Sequence, residues 1–399
     1  MHSQSLARQV VVLGLLMAVG PFAIDMYLPG FAAIASAFAT SEAEVQLSLV
    51  SFFVAMALGQ VIYGPLSDMI GRRIPVLAGL GLFVVASVGC AFATSIDMLI
   101  ALRFVQGLGG AAGGVVTMAV IRDLATGARA ARLMALSLLG LSLSPILAPV
   151  AGGALVSVVS WRAIFVALAL IGAAVIVLVM LALPETLPPA RRQPAGLRGT
   201  LASYGALFSS GWFLTAVLAG GGAQAVLFAY IAGSPFVLMT LGGLSPLQYS
   251  LVFALNAAGI IGGAQFNSML ITRFGARRVV SVALCVLVPA ALALAGAEAA
   301  GLGGLPVVLG LVFVSLASLG LVMPNAMLLA LEPFGARAGA AAALGGALQM
   351  LVSSAATALV SAGFDGTARS MVFTMALGAL VSAAFWLAFL RRMACNRAA

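Results

Sequence analysis

The chain reads as long apolar stretches separated by short polar breaks, too long and too continuous for strands or for helices with one wet face. The first covers about residues 10–38. Ser41 and Glu44 then form an S-x-x-E capping box, which predicts that a second helix opens there and runs to Tyr63. A tight polar turn is predicted over 64–73, G-P-L-S-D-M-I-G-R-R. A third helix follows over 74–93, a fourth is capped by Ser95 and Asp97 and ends at Arg122-Asp123, and a fifth covers 132–156. Trp161-Arg162 anchors the start of a sixth helix, which stops at Pro184-Glu185-Thr186. A Pro-, Arg- and Gly-rich linker occupies 187–200, and six more apolar segments are expected at about 206–232, 246–270, 278–297, 304–330, 338–362 and 368–390. Ser245-Pro246 opens the eighth of these helices and carries no chemistry.

Six segments, a basic linker and six segments predict an all-α membrane protein. Its twelve transmembrane helices fall in two six-helix halves, with both termini cytoplasmic. The expected divisions are an N-terminal half over 1–186, a linker over 187–203 and a C-terminal half over 204–399. Composition agrees. The 399 residues are 63% hydrophobic and 7% charged, with mean hydropathy +1.21, more apolar surface than a soluble domain can hide. Twelve spans at about 20 residues each need about 240 residues, which leaves short loops. The first apolar run follows only Arg8 and has no small-residue cleavage site, so it is expected to remain as a span. A trace of repetition supports the halves. Gly71 with Arg73 recurs as Gly275 with Arg277, 204 residues later, with Thr272 where the first copy has Asp68.

The net charge of +9 comes entirely from arginine, nineteen residues with no lysine. Under the twelve-span layout sixteen of them fall in cytoplasmic segments, two (Arg162 and Arg369) outside and one (Arg103) within a span. That asymmetry follows the positive-inside rule and argues against a nucleic-acid partner. Cys90 and Cys285 lie in apolar helices and Cys395 near the C-terminus, so no disulfide is expected. His2 is the only histidine, which leaves no His/Cys cluster for a metal and no histidine proton relay.

Of the ten acids, nine fall at predicted helix ends; Asp25 alone lies within a span. A charge near the bilayer centre costs about 2.5–3.5 kcal/mol on insertion scales, so an acid retained there is a functional candidate. Four residues later Pro29-Gly30 removes a backbone donor and loosens the helix, as in the broken helices that line transporter cavities. Arg103 is the only base in a span, and it must find acceptors: Asp25 directly or through Gln106, or carbonyls of the first helix.

These residues carry a resemblance. The turn that contains Gly64, Asp68, Gly71, Arg72 and Arg73 resembles the signature loop of the major facilitator superfamily, with Met69 where a basic residue is usual. Leu102-Arg103 with Gln106-Gly107 is similar to the helix-four motif of its twelve-span drug:proton antiporters. Gly140 followed by Pro145, Pro149, Gly152 and Gly153 resembles their helix-five antiporter motif, altered in its first part. Asp25-Met26-Tyr27-Leu28-Pro29, with the 228–237 stretch F-A-Y-I-A-G-S-P-F-V, is similar to the bicyclomycin and chloramphenicol resistance transporters.

The resemblance implies export by alternating access, driven by the proton gradient without a cofactor, from a bacterial inner membrane, by a protein expected to act as a monomer. Asp25, Arg103 and Gln106 would couple protons, and Gly64, Asp68, Gly71, Arg72 and Arg73 would latch the two halves. Pro145, Pro149, Gly152 and Gly153 would give a bendable fifth helix. Polar and aromatic residues in the spans suggest a cavity for an amphipathic ligand: Met26, Tyr27, Gln224, Tyr230 and Asn256, with Gln46, Gln265 and Gln349 as further candidates. The substrate would be a small, mainly neutral or zwitterionic antimicrobial; the alternative is an endogenous metabolite such as a nucleoside or amino-acid derivative. An enzyme is disfavoured, because no paired carboxylates or His/Cys constellation stand in the spans.

Overall fold

The structure, a computed structural model, describes residues 6–125, 127–192 and 197–398; His2 lies outside them. Seven helices come first: α1 (Leu6–Asp25), α2 (Phe31–Phe38), α3 (Glu42–Ile70), α4 (Arg73–Ala91), α5 (Ile96–Leu124), α6 (Gly127–Val158) and α7 (Arg162–Ala182). Then come α8 (Leu197–Phe208), α9 (Gly211–Pro235), α10 (Pro246–Phe274), α11 (Ala276–Ala299), α12 (Leu305–Leu331), α13 (Ala338–Ala362) and α14 (Arg369–Ala398). Among the described residues twelve helical stretches are long and apolar enough to cross a membrane, α1 and α2 counting together as Arg8–Phe38. Exposed apolar side chains such as Val85, Leu170 and Leu181 give these helices a surface suited to lipid.

Several helix ends follow from the residues that predicted them. Ser41 and Glu44 exchange the two bonds of a capping box at 3.3 Å each, and Ser95 Oγ accepts the Met98 N–H at 3.2 Å. Gly71 (φ +100°) and Gly275 (φ +78°) both take the left-handed backbone that ends a helix, so the repeat legible in the sequence is also a repeat of geometry. Three expectations are corrected. The second span does not stop at Tyr63: α3 continues through Gly64 and Pro65 to Ile70. Asp68 is therefore in the last turn of that helix, not in a turn between helices. The linker also contains α8, and the seventh span begins at Gly211 and passes Pro235 into a widened π turn over Phe236–Leu241.

The chain clusters into two compact units, Met1–Thr40 with Ser51–Thr200, and Ser41–Val50 with Leu201–Ala399. In the first, α1 packs on α5, α6 and α7, and α4 on α5 and α7. In the second, α9 packs on α12, α13 and α14, and α12 on α10 and α11. Ser41–Val50 belongs to the second unit through polar contacts as well. Thr240 Oγ1 donates to Glu42 Oε1 at 2.8 Å and Ser361 Oγ to the Ala43 carbonyl at 2.7 Å.

The contact of α1 with α6 is a backbone-to-backbone approach. A Cβ on Gly140 would stand 2.6 Å from the Gly14 carbonyl oxygen, and one on Gly152 would collide with the Met26 carbonyl. Gly153 is buried beside it, its carbonyl accepting Ser157 Oγ at 2.8 Å, while Pro145 is half-buried and Pro149 buried. Only a residue without a side chain fits at Gly152, because the atom it meets is main chain and cannot rotate away. Gly152→Val is expected to lower stability by about 1–3 kcal/mol, the usual range for overpacking. Thermal unfolding of the purified protein in detergent measures it, and an unchanged melting temperature contradicts the close approach.

Candidate functional site

The first unit is organised around the break in α1. Up to Met26 the ladder is α-helical, with the Met26 N–H on the Phe22 carbonyl at 3.1 Å. Tyr27 then reaches back only three residues, to Ile24 at 3.2 Å, and Leu28–Gly30 forms a 3₁₀ turn before α2 resumes. Pro29 supplies no N–H, which accounts for the interruption. Asp25 is the last residue of α1 and is 5% exposed; among the described residues its carboxylate has no hydrogen bond or ion pair.

Arg103, on α5, is fully buried nearby in the same unit. Its Nη1 donates to the Ala23 carbonyl at 3.0 Å and to Gln106 Oε1 at 2.6 Å. The guanidinium carbon lies 4.5 Å from the ring centre of Tyr27 and 4.2 Å from that of Phe52. Gln106 Nε2 passes the connection on to Ser87 Oγ at 2.7 Å, and Ser87 donates to the Phe83 carbonyl at 2.7 Å. Arg103 therefore meets the backbone of α1 two residues before Asp25 and does not bond the carboxylate. Two of its donors, Nε and Nη2, have no acceptor among the described residues. Desolvated cation–π contact is worth about 2 kcal/mol, whereas each unpaired buried donor costs about 1–3 kcal/mol. The two terms are of one size, so the guanidinium is held in place yet retains capacity for a further acceptor.

Tyr27 and Met26 are both buried. The Tyr27 ring packs edge-on against Phe31 at 5.1 Å and beside Phe165 at 5.5 Å, so it forms part of the aromatic wall around Arg103. In the second unit, Asn256 Nδ2 on α10 donates to the Tyr230 hydroxyl on α9 at 2.9 Å, and the Tyr230 ring stacks on Phe253 at 5.6 Å. Ser234 and Tyr249 share a hydrogen bond of 3.1 Å in the same cluster. Gln224 is buried on α9, six residues before Tyr230. Tyr230 and Asn256 are thus brought together, as a polar pair inside an aromatic patch. No sequence signal pointed to Phe52, Ser87 or Tyr249 in these clusters; only the i, i+3 spacing of Arg103 and Gln106 signalled a direct bond.

At the α3–α4 turn, Arg72 collects acids of its own unit. Nη1 bonds Asp68 at 2.5 Å and Ser67 at 2.8 Å, and Nε bonds Asp123 at 2.8 Å. Glu185 accepts the Arg72, Arg73 and Leu187 N–H groups at 2.9, 3.2 and 2.9 Å, and its carboxyl occupies the space a Cβ on Gly71 would need. The Arg73 side chain donates to the Met180 carbonyl at 2.7 Å. Gly64 has open space beside it.

Partial burial works against ionised Glu185, but the three backbone donors and Arg192 outweigh it and hold its carboxyl below the ordinary 4.5. Because the folded-state value lies below the unfolded one, the stabilisation is complete above 4.5 and is lost as pH falls through the depressed value. Glu185→Gln should cost about 1 kcal/mol at neutral pH, since water screens a half-exposed group. It should also flatten the acid limb of melting temperature against pH; parallel curves for the two proteins would contradict the role.

Residues 13–358 match the Major Facilitator Superfamily, and the chain belongs to it. It is a multi-pass membrane transporter with twelve spans, and not an enzyme. It is 36% identical to the Uncharacterized MFS-type transporter YdgK of Bacillus subtilis, over 88% of this chain and 87% of that one. It is 31% identical to the Bicyclomycin resistance protein homolog of Haemophilus influenzae, over 94% of each. The fold is shared with the crystal structure of a D-xylose-proton symporter, at a TM-score of 0.79 over 96% of this chain and 98% of that one, with 16% identity.

Proposed function

We propose that the protein is a proton-coupled antiporter that exports small amphipathic antimicrobials, neutral or zwitterionic and of the bicyclomycin or chloramphenicol kind. Two six-helix halves, 1–186 and 204–399, would alternate access across a bacterial inner membrane, with both termini on the cytoplasmic, arginine-rich side. The observation that carries the coupling is Asp25: a buried carboxylate with no partner among the described residues, at a helix break whose Ala23 carbonyl is held by Arg103, a guanidinium with two unused donors. A carrier that exchanges protons needs a group whose surroundings change between states, and a carboxylate at a hinge meets that need. Arg103 and Gln106 tie the hinge to α4 and α5. Tyr230 and Asn256, with Gln224, supply an aromatic face and amide groups suited to a ligand of mixed polarity. Asp68 and Arg72 would act as a latch by exchanging partners between states. The relative named for bicyclomycin resistance supports the substrate class.

The test is expression in an efflux-deficient bacterium, with susceptibility measured for bicyclomycin, an amphenicol and a panel of unrelated drugs. Protection against the first two is expected. Unchanged susceptibility throughout, with the protein present in the membrane, would overturn the substrate class.

A further inference from the structure

Arg391 and Arg392, at the end of the last span, have no ion pair or hydrogen bond among the described residues. They border a groove of about 790 Å³ whose other walls are Ser210, Gly211, Trp212, Ala384, Leu387 and Ala388. The Arg392 guanidinium lies against the Gly211 Cα, in the space a Cβ would fill. Gly211 is the first residue of α9, where the helix dipole places about half a positive charge. Ser210 Oγ accepts the Phe213 N–H at 3.3 Å, but the Gly211 and Trp212 N–H groups have no acceptor among the described residues. Two guanidinium groups and an incompletely capped helix start thus converge on a groove lined by no acid. Such a gathering of like charge is unfavourable until an anion enters it.

The groove continues into an apolar track. Leu377, Leu380, Ala384 and Leu387 follow one another at three- and four-residue spacing along the exposed face of α14, and the next step of that stripe is Arg391. Trp212 closes the side, its indole N–H on the Leu329 carbonyl at 2.8 Å and its ring 4.7 Å from Phe389. A positive rim at the boundary of a span, leading to an exposed apolar stripe along it, matches one molecule: a phospholipid with a negative headgroup. A free phosphate would use the rim and leave the stripe unexplained. A neighbouring groove of about 780 Å³ contains Arg277 and Arg278 but also Glu332, so there the chain supplies its own counter-charge.

We propose that the α9–α14 groove binds an anionic phospholipid, its phosphodiester against Arg391, Arg392 and the start of α9 and an acyl chain along the Leu377–Leu387 stripe. The test is native mass spectrometry of the full-length protein offered phosphatidylglycerol and phosphatidylcholine with the same acyl chains. The wild type should retain phosphatidylglycerol preferentially. Replacing both arginines (Arg391→Ala with Arg392→Ala) should reduce that preference roughly tenfold or more. Gly211→Asp keeps both arginines and places a carboxylate beside Arg392; it should have the same effect, and it keeps the proposal testable if the double variant fails to fold. An unchanged preference in a folded variant overturns the site. So does an equal loss when Arg277 and Arg278 are replaced by Ala, which would mark general surface charge. Displacement of the lipid by inorganic phosphate at matched concentration would also overturn it, in favour of a small-anion site.

Discussion

Asp25→Asn is expected to reduce pH-gradient-driven drug accumulation in reconstituted vesicles to the level of empty vesicles, while exchange of labelled for unlabelled drug continues. The substitution preserves the size of the side chain and its capacity to hydrogen-bond, but replaces a titratable carboxyl by an amide that cannot titrate. Asp25 is the only acid placed deep within a span, and it makes no bond in the described structure that Asn would disrupt. Folding should therefore survive, and an unaltered melting temperature would confirm that loss of pumping is not loss of structure. Uphill accumulation by the Asn variant at the wild-type rate would place the coupling group elsewhere. If the two unused donors of Arg103 take up the Asp25 carboxylate in another state, Arg103→Lys should also fail to pump, because an ammonium cannot hold two ring faces and present a planar fork.

How much of this was legible in the chain depends on the range of the interaction. Local signals read correctly: the caps at Ser41 and Ser95, the break after Asp25, and the turn glycines Gly71 and Gly275. Misreadings arose where a residue with breaking tendency sat inside a helix. Gly64-Pro65 looks like a stop, yet a proline deletes only one donor, and α3 continues until Gly71 adopts a positive φ. That seven-residue extension changes the chemistry, because it puts Asp68 on the last helical turn, where it forms an ion pair with Arg72. Tertiary partners were out of reach. The sequence showed that Arg103 needed acceptors, and even offered the α1 carbonyls, but only the packing of α1 and α3 on α5 brings two aromatic rings within 4.5 Å of it. Glu185 is a similar case, since its three N–H partners come from two turns more than a hundred residues apart.

The same count of charges predicts selectivity. With Asp25 and Arg103 both ionised, the deep part of the spans is close to neutral, so a monovalent cation would have to bind through Asp25 in direct competition with the proton. A dication would find no second carboxylate, and most of its desolvation would go uncompensated. Neutral or zwitterionic drugs with several hydrogen-bonding groups should be preferred over quaternary ammonium compounds. The residue two turns before Asp25 on α1 is Met17, buried and 7% exposed, which offers a place to alter the balance. Met17→Glu should shift protection towards dicationic dyes and reduce it for chloramphenicol-type drugs, measured as paired susceptibilities of one strain that expresses either protein. Gly20, the neighbour nearly one turn on, already has the Met56 methyl 3.3 Å from where a Cβ would stand, so the acid must be accommodated by side chains that can rotate. Met17→Gln, of nearly equal size and without charge, separates that steric effect from the electrostatic one. If Gln and Glu shift the preference equally, packing rather than charge selects the substrate; strong protection against the dication by the unaltered protein, with none against neutral drugs, would defeat the electrostatic account altogether.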